Sequence, residues 1–248
     1  RGIGVVVHHA VTVGWSMYVL YAELEALYGA FANGQLTPLA PVSLQYADYA
    51  LWQRQWAETS ALQEQLTWWK EQLAGVPTVL ELPADGPRPP VQDFRGALVP
   101  WQSDRDTAQA LRELAAREHV TPTMVLLAVF QVLLHRYTDQ EKFLVGMTHA
   151  NRERPELAGV VGFVVNTLAI RADLSEAPSF RSVLAQVRET CLGAHEHSEL
   201  PFDQLVKVLQ PERDLSTPPL VQVMFAPQVS KQGQLALPEL RVVPLELD

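Results

Sequence analysis

The chain has 248 residues, 48% hydrophobic and 19% charged, which is enough for one large domain or two lobes with their own cores. A formal net charge of −9 argues against a general nucleic-acid or anionic-membrane surface and leaves room only for a local basic patch. Cys191 is the only cysteine, which excludes a disulfide framework and a multi-cysteine metal site and fits a reducing, cytoplasmic setting; no apolar run reaches membrane-spanning length.

Arg1-Gly2-Ile3-Gly4 runs straight into an apolar stretch, and the expectation is a cut through a longer polypeptide. Val5-Val6-Val7 predicts a buried strand that delivers His8 and His9 to Gly14. Strand side chains alternate between faces, so one imidazole can look into a site while the other is buried behind it. Gly14 lets the backbone turn or approach a ligand, and Ser16 can cap the helix that follows. Imidazole titrates near neutral pH, so the pair suits a general base; it equally suits two structural, hydrogen-bonded rings. A metal site is disfavoured, because strand neighbours diverge and no Cys or acidic ligand stands at zinc spacing.

Met17, Leu20, Tyr21, Leu24, Leu27, Tyr28 and Phe31 recur at helical steps, a core-facing helix ended by Asn33-Gly34. After a proline-rich turn, Ser43 can cap a helix carrying Tyr46, Asp48, Tyr49, Trp52 and Trp56, whose aromatics suit packing between elements. A third helix runs through Leu62, Leu66, Trp69 and Leu73 to Gly75. Residues 76–96 hold Pro77, Pro83, Pro87, Pro89 and Pro90, a semi-rigid extended connector between two lobes.

From there the predicted order is β, α, α, β, β, α, α, β. Ala97–Gln102 reads as a strand, and Ser103 or Asp104 caps the next helix. Thr121 caps another, with Pro122 at its first position, and the run Met124–Leu134 is apolar nearly all round, so buried. Strands follow at Phe143–Thr148 and Gly162–Arg171, separated by a polar loop. A helix through Phe180, Leu184, Val187 and Cys191, a short helix from Pro201, a strand at Leu220–Phe225 and an apolar segment at Leu240–Leu247 complete the chain. Such intermixing predicts an α/β or α+β fold built of sheet and helix layers.

Five segments carry a family resemblance. His8-His9-Ala10-Val11-Thr12-Val13-Gly14 stands where a His-His-x-x-x-Asp-Gly motif would. Tyr46-Ala47-Asp48-Tyr49-Ala50-Leu51-Trp52-Gln53 matches Tyr-x-Asp-Tyr-Ala-x-Trp-Gln, and Gly162-Phe163-Val164-Val165-Asn166-Thr167 is similar to Gly-x-Phe-Val-Asn-Thr. His197-Ser198-Glu199-Leu200-Pro201-Phe202-Asp203 is similar to His-Gln-Asp-x-Pro-Phe-Glu, and Arg213-Asp214-Leu215-Ser216-Thr217-Pro218-Pro219-Leu220 to Arg-Asp-x-Ser-Arg-Asn-Pro-Leu. In this order, across nearly the whole chain, they resemble the condensation domain of nonribosomal peptide synthetases. Gly14-Trp15-Ser16 and the Tyr46 helix are most similar to the subtype that joins two L-configured units.

The resemblance implies a chloramphenicol acetyltransferase-like α/β (α+β) fold of two lobes with a tunnel between them. On that template residues 1–75 are the tail of the first lobe, 76–96 the connector and 97–248 most of the second lobe. Most of the first lobe and the last strands would be missing, and exposed sheet edges would favour self-association. The implied reaction is amide bond formation between a carrier-bound acyl or peptidyl thioester and a carrier-bound aminoacyl acceptor. No cofactor is bound directly, since both substrates arrive on 4′-phosphopantetheine arms. The implied partners are the upstream and downstream peptidyl carrier domains and the adjacent adenylation domain; nucleic acid, membrane and metal are not among them.

By the same resemblance His9 is the base or positioning group, His8 its structural partner, and Gly14 the point where backbone approaches the reacting carbonyl. Trp15 and Ser16 are tunnel-lining candidates, Asn166 either lines the tunnel or satisfies a buried loop, and His149 and His197 support loops. The motif aspartate is replaced by Val13, which cannot pair with the family's arginine; Arg152 is the first candidate for that arginine and Arg171 the second. The expectation is therefore impaired condensation. The alternatives are a non-catalytic docking platform for carrier or tailoring proteins, and a free-standing acyltransferase using a coenzyme A thioester, which the Tyr46 and Arg213 segments disfavour.

Overall fold

A computed structural model describes residues 4–92, 95–176, 178–209, 215–227 and 235–243. Its contacts group the chain into two compact units: Arg1–Ala61 with Ala150–Val165 and Gln228–Asp248, and Leu62–His149 with Asn166–Pro227. The grouping is not collinear with the sequence, because residues 150–165 cluster with the N-terminal segment. Arg213 and Asp214 of the last motif, and residues 244–247 of the terminal apolar segment, lie outside the described residues.

The first unit is built on α1 (Gly14–Ala32) and α2 (Tyr46–Trp56). Asn33-Gly34 ends α1 as predicted, with Asn33 as C-cap and Gly34 at φ +67°, the left-handed turn glycine tolerates, but the predicted core-facing stripe holds no buried residue, and its Leu24 and Phe31 are exposed. The α2 helix starts from Gln45 rather than Ser43. Asp48, at its third position, accepts the Gln45 N–H at 2.8 Å and satisfies one of the donors a helix start leaves open. Tyr49, Leu157, Val160 and Val164 form a small core with Leu44, Tyr46 and Trp52 around it. Tyr46 stacks on Tyr49 at 6.1 Å, and Tyr49 tilts against Trp52 at 5.8 Å, so the aromatics of α2 serve packing as expected.

Val5–Val7 do not form the predicted strand. They are exposed, Val6 at 99%, and no described strand pairs with them. β propensity reflects fit to a half-buried pleated surface, and without a ladder partner it is not expressed.

The second unit begins along α3 (Ser60–Leu73), closed by Gly75 at φ +70°. It continues through α4 (Arg105–Arg117), α5 (Pro122–Thr138), β1 (Lys142–His149), β2 (Asn166–Asp173), α6 (Phe180–Glu196), α7 (Phe202–Leu209) and a two-residue β3 (Met224–Phe225). Asp104 accepts the Thr107 N–H at 2.6 Å and Thr121 the Met124 N–H at 3.2 Å, so both predicted caps form. The sheet order is β2-β1-β3. β1 and β2 are antiparallel, with Lys142 opposite Asp173 and His149 opposite Asn166, while β3 runs parallel to β1. Leu66, Trp69, Leu127, Phe143, Ile170, Leu184 and Leu205 belong to one continuous core.

Three expectations for this unit are corrected. Ala97–Gln102 is not a strand: it has no described ladder partner, and Trp101 is 85% exposed. The α5 helix is apolar all round but not buried all round. Val125, Leu127, Ala128 and Leu134 face the core, while Leu126, Val129 and Leu133 are exposed, because the described residues cover only one of its faces. The strands predicted from Gly162 and from Leu220 start later, at Asn166 and Met224. Part of the predicted semi-rigid connector packs onto this unit. Val76 and Leu80 are buried in this core, the Leu80 N–H donates to Gln222 at 2.8 Å, and the Glu81 N–H donates to Gln140 at 2.7 Å. Among the described residues no single helix is long and apolar enough to cross a membrane.

The histidine turn as candidate active site

The two histidines leave the chain on a short 3-10 turn, His9–Val11, rather than at the end of a strand. His8 caps that turn: its Nδ1 accepts the Ala10 N–H at 3.0 Å, so a neutral His8 carries its proton on Nε2. Both residues are exposed. The expectation that alternation buries one ring behind the other is therefore corrected, since alternation belongs to strands and this backbone is a tight turn. The His9 ring stands edge-on to Phe163, with centroids 5.6 Å apart and planes at 66°.

Val13 is the N-cap residue of α1 and offers no side-chain acceptor. Ser16 is not the cap but the third helical residue, fully buried. Its Oγ accepts the Val13 N–H at 3.3 Å and the Gly162 N–H at 3.1 Å, and donates to the Gly162 carbonyl at 3.3 Å. Trp15 donates its indole N–H to the Ala158 carbonyl at 2.9 Å. Trp15 and Ser16, predicted to line a tunnel, thus spend their polar atoms fastening residues 158–162 to the start of α1. Gly14 needs no left-handed backbone, and a Cβ there would meet nothing within 4 Å.

Arg152 lies in the same unit. Its Nη1 donates to the carbonyls of Leu157 and, at 2.8 Å, Val160, and its guanidinium sits 5.7 Å from the Trp15 ring centroid. Its Nε and Nη2 are buried, and among the described residues they have no hydrogen-bond partner and the side chain makes no ion pair. Burial holds its pKa below the ordinary arginine value. The Thr12 hydroxyl, beside Val13, is buried and unpartnered as well.

The remaining predicted residues belong to the second unit. Arg171 donates to Asp173 at 2.7 Å and reaches the Gln72 carbonyl at 3.4 Å, so its guanidinium is already committed. Burial would raise the Asp173 pKa, but hydrogen bonds from Ser175 and Arg171, with Lys142 nearby, bring it down to about 2. Asn166, for which a tunnel contact and a buried loop are both open from the sequence, uses its whole amide internally. Its Nδ2 donates to Ser198 and Leu200 carbonyls at 2.8 and 2.7 Å, and its Oδ1 accepts the Thr167 and Phe202 N–H groups at 2.9 and 3.0 Å. That satisfies a buried loop and leaves no polar atom of the amide for a substrate. His197 stacks on Trp68 at 4.1 Å and binds the Gly193 carbonyl through Nδ1, a supporting role; His149 meets the His195 ring at 4.9 Å.

An open cavity of about 500 Å³ in the second unit, lined by Glu118, His119, Arg181, Leu184, Arg188 and Glu189, contains none of the predicted site residues. The residue that sequence reading passed over is Phe163. Its one signal was an aromatic between two motif positions, Gly162 and Asn166.

Known proteins bear on this arrangement. The family model described as "Condensation domain" matches residues 3–244. A linear gramicidin synthase of Brevibacillus parabrevis is 48% identical over 97% of this chain, which spans 5% of that protein. Phosphinothricin tripeptide synthetase PhsC of Streptomyces viridochromogenes is 43% identical over 88% of the chain, which spans 20% of it. Among solved structures, the X-domain from teicoplanin biosynthesis superposes with TM-score 0.80 at 30% identity, over 86% of this chain and 48% of that one. The holo four-domain nonribosomal peptide synthetase AB3403 superposes with TM-score 0.80 at 26% identity, over 91% of this chain and 17% of that one. The chain thus spans about half of a solved X-domain and a small part of the synthetases it matches. With its α/β architecture and its histidine turn, the chain belongs to the condensation-domain family of nonribosomal peptide synthetases, whose fold is of the chloramphenicol acetyltransferase-like type.

Proposed function

We propose that the chain serves amide bond formation in nonribosomal peptide synthesis, and that His9 is the group that manages the proton of the reaction. The observation that carries this reading is the exposed turn that presents His9 edge-on to Phe163. The acceptor amine of an aminoacyl thioester on one carrier domain attacks the carbonyl of an acyl or peptidyl thioester on another. A C–N bond forms, the C–S bond breaks, and the first carrier's pantetheine thiol is released. A thioester is already activated, so positioning supplies most of the acceleration. His9 accepts or stabilises the proton that the attacking nitrogen gives up. The substrates arrive on 4′-phosphopantetheine arms, and the carrier and adenylation domains of a cytoplasmic synthetase are the partners. The test is peptide formation from two loaded carriers by the full-length parent. His9→Ala is expected to lower the rate by roughly 100-fold, the low end for removing a general acid–base group, and an unchanged rate would remove His9 from the mechanism.

A second reading is a docking platform without condensation activity. Two observations favour it: Nε and Nη2 of Arg152, buried with no hydrogen-bond partner among the described residues in a chain that carries Val13 in place of the motif acid, and the likeness to an X-domain solved in complex with OxyB, at TM-score 0.81 and 30% identity. Val13→Asp in the parent separates the readings. A gain in turnover marks a weakened catalyst, and no gain alongside intact carrier binding marks a platform.

A further inference from the structure

The His9 imidazole makes no side-chain hydrogen bond among the described residues, and the ring it meets is that of Phe163. Phe163 is 41% exposed, so core burial does not account for its placement. What fixes it is the residue before it. Both backbone polar groups of Gly162 are bound by the one buried hydroxyl of Ser16. Its other side is closed by Tyr46, since a Cβ at 162 would come within 2.4 Å of that ring. The backbone is thus clamped between the first turn of α1 and a side chain of α2, and Phe163 leaves the clamp towards His9.

We propose that Phe163 is a positioning residue for His9, set in place by the Ser16–Gly162 clasp. This rests on the role given to His9 above. An edge-on aromatic contact favours one orientation of the imidazole over others without consuming its nitrogens. Both nitrogens stay available for proton traffic. The clasp also explains how the histidine turn keeps its shape although Val13 cannot pair with Arg152. One hydroxyl ties the Val13 N–H, two residues past the turn, to Gly162 by neutral hydrogen bonds.

The experiment compares Phe163→Leu and Phe163→Tyr in the full-length parent with both carriers loaded. Leucine keeps apolar bulk and removes the ring; tyrosine keeps the ring. Phe163→Leu is expected to lower kcat roughly 3- to 10-fold, the range an aromatic pair supports, with acceptor KM and thermal midpoint little changed. Phe163→Tyr is expected to restore most of the rate. In the proton NMR spectrum the His9 ring signals should lose their ring-current shift in Phe163→Leu and keep it in Phe163→Tyr. Ser16→Ala should move the same signals and speed hydrogen exchange at the Gly162 amide. The proposal is overturned if Phe163→Leu condenses at the parent rate, or if its loss appears only in KM and the thermal midpoint while the His9 signals stay put. If His9→Ala proves silent, the assigned chemistry fails, while the NMR comparison still decides whether Phe163 orients the ring.

Discussion

Replacing Val13 by aspartate should stabilise the first unit through two separable effects. Val13 is the N-cap of α1, and a carboxylate or amide there accepts a first-turn N–H, worth about 1 kcal/mol. The second effect is electrostatic. Nε and Nη2 of Arg152 are buried without partners, and its guanidinium lies over Trp15, two residues beyond the cap. Hydrogen bonds to a charged group contribute about 1.5–3 kcal/mol each, but the guanidinium is only partly buried, so screening brings the pair to about 1–2 kcal/mol. Asparagine caps nearly as well as aspartate and carries no charge, which makes Val13→Asn the control. Denaturant unfolding of the four members of a Val13→Asp, Arg152→Met cycle isolates the pair. The expected order is Val13→Asp above Val13→Asn above the natural sequence, with a coupling of about 1–2 kcal/mol to Arg152. An introduced carboxylate held by Arg152 has its pKa depressed, so the coupling is present above the ordinary carboxylate range and is lost as pH falls through the folded value. A coupling under about 0.5 kcal/mol at neutral pH, with equal stability for the aspartate and asparagine variants, refutes the argument that Arg152 is waiting for a carboxylate at position 13.

Asn166→Ala removes four hydrogen bonds at once and leaves the Ser198 and Leu200 carbonyls and two N–H groups unmatched in a buried loop. A loss of roughly 2–4 kcal/mol in unfolding of the second unit is expected, and a loss under about 1 would mean that the loop is satisfied by other means. Asp173, whose pKa is held down to about 2, contributes stability above the ordinary carboxylate value that is lost as pH falls towards 2. Asp173→Asn should therefore be less stable than the natural sequence at neutral pH, on the order of 1 kcal/mol after screening, and the difference should close on acidification. A difference that persists at low pH would show that charge is not its source.

Helix ends were largely legible from local chemistry. Asp104, Thr121-Pro122, Asn33-Gly34 and Gly75 act within one turn of the residues they cap, so their meaning does not depend on distant chain. Strands were less legible. Val5–Val7 and Ala97–Gln102 have strand composition and no described partner, whereas Lys142–His149 and Asn166–Asp173 have similar composition and pair along their whole length. The site was legible as residues and not as geometry. The resemblance singled out His8, His9 and Val13 and offered Arg152 as a candidate, but the strand reading gave the two imidazoles opposite faces where the backbone forms an exposed turn. Of the two readings of Asn166, the buried loop is the one its amide serves, and the partners of Trp15 and Ser16 lie in distant segments that spacing cannot show.

The order of motifs by itself determined the family, the α/β class and the replacement of an acid by Val13, since these are properties of residue identity and local periodicity. Tertiary structure alone decided that residues 150–165 join the N-terminal helices, that Ser16 binds Gly162, and that Phe163 meets His9. The reason is physical: a cap or a helical stripe is written within a few residues, while a clasp between positions 16 and 162 exists only once the chain has closed the loop between them.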